Sequence, residues 1–404
     1  MVGNSHFFKE DIYYRTLYGK LFSGLLHQFG ARYVSEIEDA IQNTFLKSLK
    51  IWTLNEDPNN KENWLFVVAR NDIINQIKKK QKEVELSSIS IDENNTMIED
   101  DLRLQTILFV SSLSILSTQA KIIFILKNIF GLSIKEISET TLLNQEAIYK
   151  TVNRAKKAIQ LKFNNKVFDP DSVITDTDTL LVVEEILYAV FNIGFDSFNE
   201  KIQTIVNEDL CLEAFSLAKM LFAKYQSNST SNLLALFCFH IARIPAKIDN
   251  GKFISFFNQN REKWNKELIN LGFQFLKKPE TIHKFYIEAI ITGKYMAITT
   301  LTSKDWSDIV KLYEVLLQIS QSPIIKLNYC FCLNKIGRKK EAIELLEKIE
   351  NKLSKENIYF SLVKASILKE NNPKESDNLF TTISNKINQR IRKEYLLENG
   401  FINL

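Results

Sequence analysis

The sequence predicts an all-α chain of several domains, and three observations carry that reading. Its 404 residues contain only eleven Gly and six Pro, too few for the turn-dense layout of sandwiches and barrels or for Gly-rich phosphate loops. Apolar residues recur at i, i+3, i+4 and i+7 nearly throughout, the spacing that lines one face of a helix. Near the C-terminal end the pattern returns after 34 residues, a period typical of stacked helix pairs.

Composition bounds the function before any motif is read. A hydrophobic content of 45% with 25% charged residues is that of a globular protein, and the length accommodates two or three domains. The longest apolar runs, such as LLALFCF at 233–239, fall far short of the ~20 residues that cross a bilayer. The first residues, MVGNSHFFKEDIYY, lack the basic-then-apolar layout of a signal peptide, so a cytoplasmic protein with no membrane partner is expected. Cys211, Cys238, Cys330 and Cys332 show no CxxC spacing, and Cys330 and Cys332 point to different faces of one helix. They are expected to be buried structural thiols. The four histidines are scattered without metal-ligand spacing. No catalytic residue, metal or cofactor is therefore expected.

Residues 7–82 read as a first helical domain. Within NWLFVVARNDIINQIKKKQK (63–82), Leu65, Val68, Ala69, Ile73 and Ile77 form an inner stripe, while Asn71, Asn75, Lys78 and Lys82 form an outer one. Amides read base edges and ammonium groups hold phosphates. Trp52 and Trp64 are candidates for base stacking, although their apolar neighbours favour core packing. Residues 83–101 carry seven acids and no base, with abundant Ser and Asn, and are expected to form an acidic, flexible linker.

Residues 102–166 form a second helical unit ending in a helix-turn-helix at 133–160. Ser133 and Glu136 have capping-box spacing, and Asn144 is placed as the next N-cap. In the second helix Ile148, Val152, Ala155 and Ile159 make one apolar stripe. At about 100° per residue, Glu146, Lys150, Asn153 and Lys157 fall opposite, flanked by Tyr149 and Arg154. A helix buried along one stripe with Asn, Lys and Arg along the other suits the major groove. Net charge is only +4, but residues 144–166 hold six Lys or Arg against Glu146 alone, and residues 70–82 hold five against Asp72. Two local basic clusters predict two contacts with a polyanion.

From residue 167 onward the chain stays helical without such clusters. Ala214, Leu217, Ala218, Leu221, Phe222 and Tyr225 predict a packed helix. Tyr329, Leu333, Gly337, Ala342, Leu346 and Ile349 are followed 34 residues later by Val363, Ile367, Asn371, Ser376, Phe380 and Ile383. Residues 167–404 are therefore expected to form an extension of tetratricopeptide-like repeats, clearest at 322–385.

On these residues the chain resembles a bacterial sigma factor of the extracytoplasmic-function type. EDAIQNTFLKSLKIW (38–52) is similar to the region 2 helix that docks on the polymerase clamp helices, and NWLFVVARNDIINQIKKK (63–80) to the segment handling the −10 element. LSTQAKIIFILKNIFGLSIKEISETTLLNQEAIYKTVNRAKKAI (116–159) is similar to region 4, which reads the −35 element. LLVVEEILYAVFNIGF (180–195), HIARIPAKIDNGKFISFFNQNREKW (240–264) and SPIIKLNYCFCL (322–333) resemble the subgroup with a long tetratricopeptide-like extension. The chain departs from that subgroup at 258–261, where NQNR replaces an acidic DQDR.

The resemblance implies core RNA polymerase (clamp helices and flap) and promoter DNA as partners. It implies polymerase contact through Asp39, Gln42, Asn43 and Leu46. Contacts at −10 would come from Arg70, Asn71, Asn75, Lys78 and Lys79, and at −35 from Gln145, Glu146, Tyr149, Lys150, Asn153, Arg154 and Lys157. The extension would regulate activity, through a protein partner or an intramolecular contact. Two other readings stay open: a stand-alone helix-turn-helix regulator with a partner-binding repeat domain, and a scaffold whose DNA-binding half is vestigial.

Overall fold

Among its described residues the protein is built from eighteen α-helices and one two-stranded hairpin. The computed structural model describes residues 4–52, 58–81, 101–141, 143–164, 176–196, 205–350, 358–387 and 389–399. These fall into two compact units, residues 1–186 and 187–404. The predicted acidic linker, apart from Asp101, lies outside the described residues. No helix among them is long and apolar enough to cross a membrane.

In the first unit α1 (Asn4–Phe29) stops at Gly30, whose φ of 86° is open to glycine without strain and whose N–H closes on Leu26 O at 2.9 Å. A 3₁₀ turn at Ala31–Tyr33 leads into α2 (Val34–Ile51), against which α3 (Lys61–Gln81) packs. α2 buries Ile37, Ala40, Ile41 and Thr44, and α3 buries Leu65, Phe66, Ala69, Ile73 and Ile77. α4 (Arg103–Ser112), α5 (Thr118–Asn128), α6 (Ile134–Thr141) and α7 (Gln145–Phe163) complete the unit.

α1 serves both groups of helices. It buries Leu17, Leu21, Phe22, Leu25 and Leu26 and packs on α2, α3, α4 and α5. Phe22 meets Phe124 of α5 edge to face with centroids 6.1 Å apart. The approach is closest at Gly19, where an added Cβ would lie 1.9 Å from the Ile129 carbonyl oxygen.

In the second unit the centre is α10 (Asn228–Ala242), where every residue from Thr230 to Phe239 is buried. The run LLALFCF is thus a short central helix, wrapped by α9 (Glu208–Tyr225), α11 (Lys266–Phe275) and α12 (Lys284–Ala297). Each fully buried Leu or Phe there contributes about 1.5–3 kcal/mol, which explains why this helix organises its neighbours. α8 (Thr177–Phe195), which contains the division between the units, stacks Phe191 on Phe237 at 4.1 Å. Between α10 and α11 the strands β1 (Ile248–Asp249) and β2 (Lys252–Phe253) pair antiparallel around Asn250 and Gly251, both at positive φ.

The NQNR segment that follows is a clasp. Arg261 donates to the carbonyls of Tyr295 at 3.0 Å and Met296 at 3.3 Å, near the end of α12, and stacks on buried Trp264. Asn260 Oδ1 accepts from Glu262 N, and Gln259 Nε2 donates to the Ile254 carbonyl. Amides satisfy these backbone groups without a carboxylate.

α13 (Ser303–Ile319) opens with a capping box between Thr302 and Asp305. The 34-residue period falls on two successive helix pairs, α14 (Pro323–Lys335) with α15 (Lys339–Glu350) and α16 (Ile358–Leu368) with α17 (Pro373–Lys386). Tyr329, Leu333, Ala342, Leu346 and Ile349 are buried, as are Ile367, Ser376 and Ile383, while Val363 and Phe380 are half-buried. Gly337, at φ 81°, makes the first pair's turn. α18 (Arg390–Asn399) follows and packs on β2. All four cysteines are buried free thiols.

Gly19→Ala should lower the unfolding free energy by about 1–3 kcal/mol, because backbone rather than a flexible side chain opposes the new methyl. Urea denaturation of the full chain tests this, and an unchanged midpoint would show that α1 and the Ile129 carbonyl separate at no cost.

Candidate nucleic-acid interface

The helix-turn-helix is set by backbone hydrogen bonds that its sequence anticipates. α5 gives way at Gly131, φ 59°, with the Leu132 N–H on Leu126 O at 3.1 Å. The Ser133 N–H donates to Glu136 Oε2 at 2.8 Å and Ser133 Oγ accepts from the Glu136 N–H at 3.2 Å, the reciprocal capping box at the head of α6. Ser138 Oγ then donates to the Leu143 carbonyl at 2.6 Å, which pins the turn. Asn144 Oδ1 accepts from the Ala147 N–H at 2.7 Å and starts α7. Leu142, in the same turn, lies outside the described residues.

α7 turns its stripe of Ile148, Val152, Ala155 and Ile159 inward, each buried. Gln145, Glu146, Tyr149, Lys150, Arg154 and Lys157 are exposed, and Asn153 is half-buried beside them. Tyr149 is 58% exposed, so its ring is not part of the core. Lys150 pairs with Glu146 at 2.5 Å one turn away. Exposed pairs of this kind contribute under about 1 kcal/mol, so the ammonium is readily given up to a phosphate.

The face of α2 carries Asp39, Gln42, Asn43 and Leu46 at i, i+3, i+4 and i+7, all exposed. Leu46 and Leu49 are 59% and 55% exposed, an apolar ridge beside amides and acids. Asn43 Nδ2 donates to Asp72 of α3 at 3.1 Å. On α3, Asn71, Asn75, Lys78 and Lys79 are exposed along one side.

Arg70 departs from its expected place among the −10 contacts: it is only 8% exposed. It stands one turn after buried Phe66 and three residues before buried Ile73, so helical geometry carries it to the inner side. Trp52 and Trp64 are both half-buried and 5.6 Å apart, with Tyr14 stacked on Trp52 at 6.2 Å. This is the packed arrangement that their neighbours favour.

Three ion pairs that no local pattern announces tie these helices together. Lys156, on the flank of α7, pairs with Glu38 of α2, and the two side chains are 16% and 8% exposed. Lys80 of α3 reaches Glu36 of α2 at 2.5 Å, and Arg15 of α1 reaches Glu136 of α6 at 2.8 Å. Burial raises the Glu136 carboxyl, but Arg15 and the hydrogen bonds from Ser133 outweigh it and hold the group below its ordinary range. α7 is therefore fastened by its back and one flank, with its polar arc outward.

An exposed Lys, Arg and amide arc on the second helix of a helix-turn-helix, with a second Asn and Lys face on α3, has the chemistry of a nucleic-acid-binding surface. Residues 14–83 match sigma-70 region 2 and residues 108–159 match sigma-70 region 4. Both regions support a sigma-factor role in promoter recognition and imply interaction with core RNA polymerase and promoter DNA. Residues 180–280 match a family of unknown function, DUF6596. An uncharacterised protein of Rhizobium meliloti (strain 1021) is 25% identical over 349 residues, covering 82% of this chain and 81% of its own length. No solved structure matches the chain.

Glu38→Gln should cost about 3 kcal/mol of unfolding free energy, because it leaves the Lys156 ammonium mostly buried without its counter-charge. A double-mutant cycle with Lys156→Met checks the assignment, and additive losses would rule out the pairing. For Glu136 the folded value lies below the ordinary 4.5, so its stabilisation is present above that pH and is lost as pH falls through the folded value. Glu136→Gln should flatten the acid limb of the stability profile.

Proposed function

We propose that the chain is a sigma factor of the extracytoplasmic-function type with a regulatory, tetratricopeptide-like C-terminal extension. The observation that carries this is the pairing of two separate exposed amide and basic surfaces, on α3 and α7, with an exposed amide, acid and leucine face on α2. A stand-alone regulator needs the first kind of surface and has no use for the second.

In this reading Asp39, Gln42, Asn43 and Leu46 engage core polymerase at the clamp. Gln145, Glu146, Tyr149, Lys150, Asn153, Arg154 and Lys157 lie in the −35 major groove, where amide and guanidinium groups read base edges and lysines hold phosphates. Asn71, Asn75, Lys78 and Lys79 hold the opened −10 strand. Unstacking a base costs a few kcal/mol, which contacts of this kind offset. Arg70 is omitted from that face because it is buried. The protein performs no chemistry in this role; it places binding energy where the duplex opens. Packed helix pairs such as α14–α15 and α16–α17 offer a surface for a protein partner or for other parts of the chain.

Purified full-length protein should bind core RNA polymerase, and replacing Asp39, Gln42 and Asn43 together with Ala should abolish that binding while leaving helicity unchanged. Failure of the full-length protein to bind polymerase would overturn the sigma reading. Replacing Lys150, Asn153 and Arg154 with Ala should weaken promoter binding and reduce the slope of log K against log salt by about one for each phosphate no longer neutralised. An unaltered slope would remove α7 from the interface.

A further inference from the structure

Among the described residues of the second unit, several cations gather in one buried cluster. Asp196, directly after α8, accepts from Arg392 of α18 and from the Tyr359 hydroxyl of α16. Lys247 lies 3.6 Å from the same carboxylate and donates to the Phe195 carbonyl, and its side chain is 4% exposed. Arg243, at the end of α10, is sandwiched between the rings of Phe195 and Phe256, 4.6 and 4.8 Å from their centroids. Three cations thus gather around one carboxylate among the described residues.

Arg243 is the anomaly. Its backbone N–H caps α10 on the His240 carbonyl, but its guanidinium Nε is sealed from solvent without a partner. His240, one turn earlier and 4.9 Å from the same Phe195 ring, likewise has a buried Nδ1 without a partner. Burial pushes the Lys247 ammonium down to about 7, with Asp196 opposing it. Buried charge is ordinarily paired, and a guanidinium held between two rings is a rigid fork with its N–H edge preset for two oxygens. Arg243 remains partly exposed as a residue, so that edge is reachable from solvent.

We propose that this cluster is a binding site for a small oxyanion, a single phosphate or carboxylate group. Arg243 receives it bidentately, Lys247 and Arg392 supply the field, and Phe195 and Phe256 fix the guanidinium plane. Asp196 holds Lys247, Tyr359 and Arg392 in place, which links the end of α8 and the loop after α10 to α16 and α18. An occupied site would tighten that link. That such tightening modulates promoter activity rests on the proposed function; the binding itself does not.

The test uses full-length protein at constant ionic strength, with inorganic phosphate or acetate replacing chloride. The Nε–Hε resonance of Arg243 is followed by NMR, and the thermal midpoint is read alongside. Saturable shifts of that resonance with one anion, and a matching rise in midpoint, are expected. Phosphate and acetate arms distinguish the two oxyanion classes. Arg243→Lys keeps the charge and loses the fork, and should weaken binding on the order of tenfold or more. If Arg243→Lys does not fold, the wild-type resonance still decides. A resonance unmoved by both anions, or equal affinity in Arg243→Lys, would overturn the site.

Discussion

α7 has to satisfy two demands at once, and the first unit is arranged around that constraint. Its apolar stripe must be covered, since Ile148, Val152, Ala155 and Ile159 have no other route out of water. In the proposed role its polar arc must stay uncovered, because base edges and phosphates are reached only by side chains free to leave water. The stripe leaves the helix free to rock about its axis. Lys156 on Glu38 removes that freedom on one flank, and Arg15 on Glu136 fixes the companion helix. A buried pair of this kind adds little net stability against an apolar substitute. Its value lies in orientation, because the desolvated partners tolerate no other arrangement.

The parts legible in the sequence are those decided within one or two helical turns. Ser133 with Glu136 and Asn144 with Ala147 are local hydrogen bonds, and they occur where spacing places them. The stripes of α3 and α7 follow from a fixed rotation per residue. Arg70 falls on the wrong side when charge is weighed before geometry: its turn-mate Phe66 already marks the inner face. Lys156 and Glu38 are 118 residues apart, and nothing local distinguishes that lysine from Lys157 beside it. The signal for the second unit's cation cluster is present but weak, in Arg243 and Lys247 standing inside the otherwise apolar run IARIPAKI.

The second unit shows how a motif's shape can outlast its charge. In the NQNR segment, Arg261 and the two flanking amides perform closure by donating to and accepting from backbone groups. A carboxylate at position 260 would accept the same bond from the Glu262 N–H and add charge. Closure there requires only an acceptor, so it leaves the charge at position 260 free to vary.

The leucine ridge on α2 has a cellular consequence. Leu46 and Leu49 are each more than half exposed, and an uncovered apolar patch is a general adhesive that invites self-association and chaperone capture. Lys47 and Lys50, both exposed, are interleaved with them and act as gatekeepers, keeping the ridge wettable and mutually repulsive between copies.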